Sequence, residues 1–124
     1  MEKKRILVVD DEAAITRLLR LYLEGTGGFD VRTENEGSKA VDAAREFDPD
    51  LILLDLIMPD TDGATVASDL KADAALCDTP VIFLTALVSE QEVGERGKDI
   101  WGHPFLAKPV DPAIVVELIE KQLG

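Results

Sequence analysis

Three short apolar runs constrain the fold more than any other feature of the sequence: ILVV at residues 6–9, LILL at 51–54 and VIFL at 81–84. None of them alternates apolar with polar residues, which is typical of strands that are buried on both faces. Weaker strand candidates are FDVRT at 29–33 and FLA at 105–107. The runs therefore predict a parallel sheet that is covered by helices.

Amphipathic segments lie between these runs and predict the helices. Apolar side chains at three- and four-residue steps mark the first helix, with Gly25 as its stop. Asp111 as a cap and Pro112 at the first helical position mark the start of the last helix. The predicted stripes are Ile15, Leu18, Leu19, Tyr22 and Leu23; Ala40, Val41 and Ala44; Val66, Ala67 and Leu70; and Val115, Leu118 and Ile119.

The segment 89–100 is the weakest helix candidate. Gly94 and Gly97 lie within it, and each glycine costs about 1 kcal/mol in a helix interior. We expect a short, frayed or mobile helix there. The repeated strand–helix order still predicts the doubly wound α/β class, with helices on both faces of the sheet.

Length and charge limit the function classes. A chain of 124 residues fits one domain, 1–124, and its formal net charge of −12 disfavours contact with nucleic acid or anionic lipid. Cys77 is the only cysteine, so no intramolecular disulfide is available, and a reducing cytoplasm is the expected location. No apolar stretch is long enough for a membrane span.

Polar residues follow the strand runs directly. Asp10 and Asp11 follow the first run, Asp55 the LILL run, Thr85 the VIFL run and Lys108 the last run. Ligands of open parallel sheets bind at the carboxyl ends of the strands. We therefore expect three carboxylates, a hydroxyl and an ammonium at one edge of the sheet.

Three carboxylates at one edge repel each other, and one lysine offsets this repulsion only in part. A cation is therefore implied, and a ligand set of oxygens alone indicates Mg²⁺, with Mn²⁺ as a substitute. A divalent ion held by few carboxylates keeps positions that suit phosphate oxygens. There is no GxxxxGK[ST] loop, GxGxxG or HExxH motif, so the nucleophile must be a side chain, and a carboxylate is available.

Four ordered segments of the sequence resemble the signature of response-regulator receiver domains. They are VVDDE at 8–12, LLDLIMPDTDG at 53–63, FLTA at 83–86 and LAKPV at 106–110, and together they extend over nearly the whole chain. The resemblance implies a flavodoxin-like sheet of five parallel strands in the order 2-1-3-4-5, which makes the first and third strands neighbours. Asp10 and Asp11 would then lie beside Asp55.

The resemblance also implies roles for individual residues. Asp11 binds Mg²⁺ directly and Asp10 mostly through water, while Asp55 is both a ligand and the phosphoacceptor. The carbonyl group of Ile57 completes the ligands, Lys108 contacts the phosphoryl oxygens, and the Lys108–Pro109 peptide bond is cis.

A phosphohistidine on a sensor histidine kinase or a phosphotransfer protein is the expected phosphoryl donor. The expected function is a signalling switch that controls an unknown downstream partner or output domain. The chain would catalyse only its own phosphorylation and dephosphorylation, so it is not expected to be an enzyme. Thr85 would bind the new phosphate, and Phe105 would fill the space that Thr85 vacates, although a plain core role for Phe105 is equally consistent with the sequence.

Two alternative functions would need features that the sequence does not have. An aspartyl phosphatase would carry a DxD motif and a cap-sized insertion, whereas the pair here is contiguous. A degenerate receiver, acting as a pure interaction module, would lack an acidic residue or the lysine.

Ile57 and Leu87 are apolar at positions where side chains of the family often place water, so we expect a long-lived phosphoryl state.

Overall fold

The computed structural model of the protein describes residues 3–86, 99–100 and 103–124. Its strands are β1 (Lys4–Val9), β2 (Phe29–Glu34), β3 (Leu51–Asp55), β4 (Val81–Thr85), β5 (Asp99–Ile100) and β6 (His103–Ala107). Its helices are α1 (Ala13–Gly25), α2 (Ala40–Phe47), α3 (Gly63–Ala72) and α4 (Pro112–Leu123), and a 3₁₀ turn at Gly37–Lys39 precedes α2.

The sheet has the order β2-β1-β3-β4-β6-β5. The first five of these strands pair in parallel, so the predicted order 2-1-3-4-5 is confirmed. The two-residue strand β5 is an addition, because it pairs antiparallel with β6 at the edge. The helix predicted for 89–100 is therefore wrong at Asp99 and Ile100, and residues 89–98 lie outside the described residues.

Helices cover both faces of the sheet, as predicted. Side chains alternate along β1: Leu7 and Val9 face the layer of α2 and α3, while Ile6 and Val8 face the layer of α1 and α4. Every residue of β3 and β4 is buried. These central strands therefore have no exposed face, which explains why their sequences are continuous apolar runs.

The predicted stripe of α1 is only partly correct. Leu19 and Leu23 are fully buried, but Leu18 and Tyr22 are 47% and 42% exposed. The helix packs on a flat sheet along a narrower face than the stripe suggested. The helix does end at Gly25, as expected.

The starts of α3 and α4 depend on aspartate caps. The Asp62 carboxylate accepts a hydrogen bond from the Thr65 amide at 2.7 Å, and the Asp111 carboxylate accepts one from the Ala113 amide at 2.9 Å. Both satisfy amides that the helix leaves free at its first turn. Within the described part of the chain, no helix is both long and apolar enough to cross a membrane.

Candidate functional site

Two neighbouring strands bring the predicted carboxylates together. Val9, the last residue of β1, pairs with Leu54 of β3, so Asp10 and Asp55 follow at the same level of the sheet. Asp10 is fully buried, Asp55 is 3% exposed, and Asp11 lies exposed beside them. One carboxylate oxygen from each of the three residues lies within 4.8 Å of the others. The predicted acidic cluster is therefore present.

A network of hydrogen bonds fixes the turn that carries Asp10. The Glu12 amide donates to Asp10 Oδ1 at 2.9 Å. The Asn35 side-chain amide donates to the Asp10 carbonyl at 2.8 Å and to the Thr16 hydroxyl at 3.1 Å. Asn35 therefore holds the turn after β1 against the start of α1, and the sequence prediction missed it. The signal was available, since Asn35 is also a polar residue that directly follows a strand.

Lys108 provides the positive charge within the cluster. Its Nζ lies 2.9 Å from Asp10 Oδ2, 3.1 Å from Glu12 Oε1 and 3.3 Å from Asp55 Oδ2. Its amide donates to the Thr85 carbonyl at 2.8 Å, and its peptide bond to Pro109 is cis. The lysine side chain is 10% exposed, so its ammonium group lies among the carboxylates rather than in solvent.

The carboxyl group of Asp55 ionises with difficulty in this setting. Burial is the largest cause and raises its pKa, and the neighbouring Asp10 and Asp11 raise it further. Lys108 and the Ile57 amide, which donates to Asp55 Oδ1 at 3.3 Å, lower it. The net result is a pKa of about 7. One lysine therefore does not compensate for the three carboxylates.

The pKa of Lys108 moves in the direction that keeps it charged. Burial lowers this pKa, but the close contacts with the Asp10 and Glu12 carboxylates and the charges of Asp10 and Asp55 outweigh burial and raise it. The ammonium group is therefore a permanent cation at any physiological pH. Since it is fully charged and still leaves the pKa of Asp55 high, the site lacks positive charge.

The donor set fits a hard divalent cation. Asp10 Oδ2 is buried and accepts no hydrogen bond of good geometry within the described residues, although Lys108 Nζ is 2.9 Å away. A buried carboxylate oxygen in that state needs a compensating charge. Carboxylate oxygens are the ligands that Mg²⁺ and Mn²⁺ prefer. Asp10, Asp11 and Asp55 can therefore hold such an ion.

The other predicted site residues lie around this cluster. Thr85 is fully buried at the end of β4, one residue beyond Leu84, which pairs with Asp55. Phe105 pairs with Phe83 across β6 and β4 and is only partly buried. The Ile57 side chain is 52% exposed. Leu87 lies outside the described residues.

A close approach fixes the chain that leaves Asp55. A Cβ atom added at Gly63 would lie 2.6 Å from the Asp55 carbonyl oxygen and 2.8 Å from Leu56 Cα. The Gly63 amide donates to the Leu56 carbonyl at 2.6 Å. The start of α3 is therefore pressed against the end of β3, and only glycine leaves room for this contact.

Comparisons with known proteins agree with the fold. A family model described as the response regulator receiver domain matches residues 6–120. The chain is 41% identical over 107 residues to the DNA-binding dual master transcriptional regulator RpaA of Synechocystis, which covers 86% of this chain and 44% of that protein. It is 36% identical over 121 residues to the DNA-binding response regulator MtrA of Mycobacterium leprae, covering 98% of this chain and 52% of that protein.

Solved structures show the same architecture. The chemotaxis response regulator CheY4 of Vibrio cholerae superimposes with a TM-score of 0.82 at 23% identity, over 97% of this chain and 98% of that one. The signal receiver domain of a histidine kinase from Syntrophus aciditrophicus gives a TM-score of 0.78 at 31% identity, over 97% and 89%.

The family match identifies the class of protein to which this doubly wound sheet, with its acidic carboxyl edge and buried lysine, belongs. The chain belongs to the response regulator receiver domains of two-component systems. It spans about half the length of the curated relatives it matches.

Proposed function

We propose that Asp55 accepts a phosphoryl group in a Mg²⁺-dependent reaction and that this event switches the conformation of the domain. One observation carries the proposal: a buried carboxylate with a pKa of about 7 lies among two other aspartates and the ammonium of Lys108. Such a group gains stability from a cation and from a covalent partner that Lys108 can contact. Family membership removes the aspartyl phosphatase alternative.

In the proposed reaction, Asp55 Oδ attacks the phosphorus atom of a phosphohistidine in line. The new O–P bond forms as the P–N bond breaks, and the electron pair returns to the imidazole nitrogen, which takes up a proton. Mg²⁺, when bound, supplies the positive charge that offsets repulsion between the carboxylates and the phosphoryl oxygens. Asp10, Asp11, Asp55 and the Ile57 carbonyl would hold it, and Lys108 would bind a phosphoryl oxygen.

Water would later hydrolyse the acyl phosphate and restore the Asp55 carboxylate. The chain thus catalyses only a change in its own state, in keeping with regulators rather than enzymes that turn over a free substrate. The Ile57 side chain is apolar and half exposed, so it offers no hydrogen bond to an attacking water. We expect the phosphoryl group to persist, and its decay after removal of the donor measures this directly.

The conformational readout would run through Thr85 and Phe105. Thr85 lies on the strand next to Asp55 and is buried, which suits a hydroxyl that moves toward a new phosphate. Phe105 is only partly buried, so it has room to pack more deeply. A phosphate shifts this equilibrium only by the difference in its contacts between the two states.

The proposed donors are a sensor histidine kinase or a phosphotransfer protein in the cytoplasm, and the output is an effector outside residues 1–124. We assign the whole of that range to the receiver. The net charge of −12 argues against direct contact between this domain and nucleic acid.

Intact-mass spectrometry tests the proposal. Wild type and Asp55→Asn are incubated with acetyl phosphate and Mg²⁺, and with chelator in parallel. We expect a phosphate-sized mass gain in wild type alone, which the chelator abolishes. Asn keeps the shape of Asp55 but cannot form the acyl phosphate. Lack of a gain in wild type, with acetyl phosphate and with a kinase panel, would instead support a pure interaction module.

A further inference from the structure

The ammonium group of Lys108 is shared among three carboxylates that differ in burial. Asp10 and Asp55, at 2.9 Å and 3.3 Å, have side chains that are 0% and 4% exposed, whereas Glu12, at 3.1 Å, is 57% exposed. The contact with Glu12 is a hydrogen bond of good geometry. Lys108 therefore has two buried partners and one hydrated partner.

A divalent cation and Lys108 would compete for the carboxylates of Asp10 and Asp55. The cation would take carboxylate oxygens of Asp10 and Asp55, and the ammonium already contacts Asp10 Oδ2 and Asp55 Oδ2. Two cations bound to one pair of carboxylates repel each other. Binding of the metal must therefore weaken the contacts between Lys108 and these aspartates.

The lysine has little freedom to leave. Its backbone amide is hydrogen-bonded to Thr85, and its side chain is 10% exposed. Glu12 is already within reach, and because its carboxylate stays half in water, it can adjust without a large desolvation cost. Among the residues that the structure describes, Glu12 is thus the one carboxylate in contact with Lys108 that does not belong to the acidic cluster able to hold a metal.

We propose that Glu12 is a positioning residue that retains the Lys108 ammonium when a divalent cation occupies the aspartates. Glu12 thereby lowers the competition between Lys108 and the cation, and it keeps the lysine beside Asp55 for the phosphoryl group. The inference rests on the proposed function, since it needs a metal at the acidic cluster.

A purely structural role for Glu12 has little support. Glu12 occupies the N-cap position of α1, but its side chain accepts no hydrogen bond from the helix. The backbone amide of Glu12, which donates to Asp10, is unchanged by a side-chain substitution. Glu12→Gln therefore removes the charge that faces Lys108 and leaves the start of the helix intact.

Isothermal titration calorimetry with Mg²⁺ at fixed ionic strength tests the inference. Glu12→Gln is expected to weaken Mg²⁺ binding about fivefold, the size of a favourable exposed ion pair. Glu34→Gln is the matched control, since Glu34 ends β2 at the same edge of the sheet and has no salt bridge among the described residues. This variant should change the Mg²⁺ affinity less than about twofold. In a Lys108→Met background, Glu12→Gln should also change the Mg²⁺ affinity less than about twofold.

Acetyl phosphate kinetics supply an independent readout. Glu12→Gln should raise the Mg²⁺ concentration for half-maximal phosphorylation and leave the rate at saturating Mg²⁺ unchanged, which loss of fold would not produce. An equal effect of Glu34→Gln, an effect that persists without Lys108, or no effect at all would overturn the role of Glu12. Failure of wild type to bind Mg²⁺ would instead reject the proposed function and this inference with it.

Discussion

Asp55 and Asp62 lie at opposite ends of the loop that joins β3 to α3, yet the pKa values of their carboxyl groups are shifted in opposite directions. Hydrogen bonds from the Thr65 amide and hydroxyl hold the pKa of Asp62 below its usual value. Asp60, in the same loop, accepts hydrogen bonds from the Ser38 and Gly37 amides, and its pKa is lowered as well. The pKa of Asp55 is raised to about 7.

The difference lies in what surrounds each charge. The loop aspartates face backbone amides and water, so their charge stabilises the local structure. Asp55 faces other carboxylates in a buried setting, and Lys108 compensates only in part. The ionised loop aspartates therefore stabilise the fold, whereas ionised Asp55 destabilises it. Destabilisation of this kind is expected where a ligand completes the structure.

Removal of Lys108 should have the largest effect on stability. Lys108→Met leaves the buried aspartates without their counter-charge, and we expect a loss of about 3 kcal/mol in chelator at pH 8. Urea unfolding measures it. Lys39→Met is the control, because within the described parts of the chain Lys39 pairs only with Glu36 at the surface, and its loss should be below about 0.5 kcal/mol. Equal losses in the two variants would show that the buried charges are already compensated.

Asp55→Asn should stabilise the metal-free chain at high pH. Because the folded pKa of about 7 exceeds the ordinary aspartate pKa of 3.8, the folded state binds this proton more tightly than the unfolded state. The stabilisation that this bound proton gives the folded state is fully present below about pH 4 and is lost as the pH rises through about 7. We expect the variant to exceed wild type by about 2 kcal/mol at pH 8 and to match it at pH 4. If Asp55→Asn were less stable than wild type at pH 8, ionised Asp55 would not destabilise the metal-free fold.

Gly63→Ala tests the close contact between the end of β3, which carries Asp55, and the start of α3, which follows Asp62. The added Cβ would meet the Asp55 carbonyl at 2.6 Å, so β3 and α3 must move apart, at a cost of about 2 kcal/mol. Gly25→Ala is the control, since nothing lies within 4 Å of its Cβ position, and it should be neutral or slightly stabilising. A neutral Gly63→Ala would mean that the loop adapts freely.

Asp62→Ala should have the smallest effect and the opposite sign to Asp55→Asn. It removes the acceptor for the Thr65 amide at the first turn of α3, so the chain loses stability, and the loss shrinks as the pH falls and the carboxylate takes up a proton. Thermal unfolding of both variants at pH 8 shows the contrast. If both shift in the same direction, the distinction between capping and site aspartates is wrong.

The sequence predicted the aspartates of the site better than their partners. Asp10, Asp11 and Asp55 follow apolar runs, so local pattern places them at one edge. Glu12 was missed because its partner Lys108 lies 96 residues away, and no local pattern reports a contact over that distance. The strand β5 was missed because two residues carry no periodicity, and Leu18 and Tyr22 were misjudged because a stripe does not show how much of it the sheet covers.

The most direct measurement locates the phosphoryl group on the chain. After reaction with acetyl phosphate and Mg²⁺, borohydride reduces an aspartyl phosphate to homoserine, and peptide mass mapping identifies the residue. We expect homoserine at Asp55 alone, with Asp60 and Asp62 unchanged although they are more exposed. Homoserine at Asp60 or Asp62, or at no aspartate of a chain that has bound Mg²⁺, would contradict it.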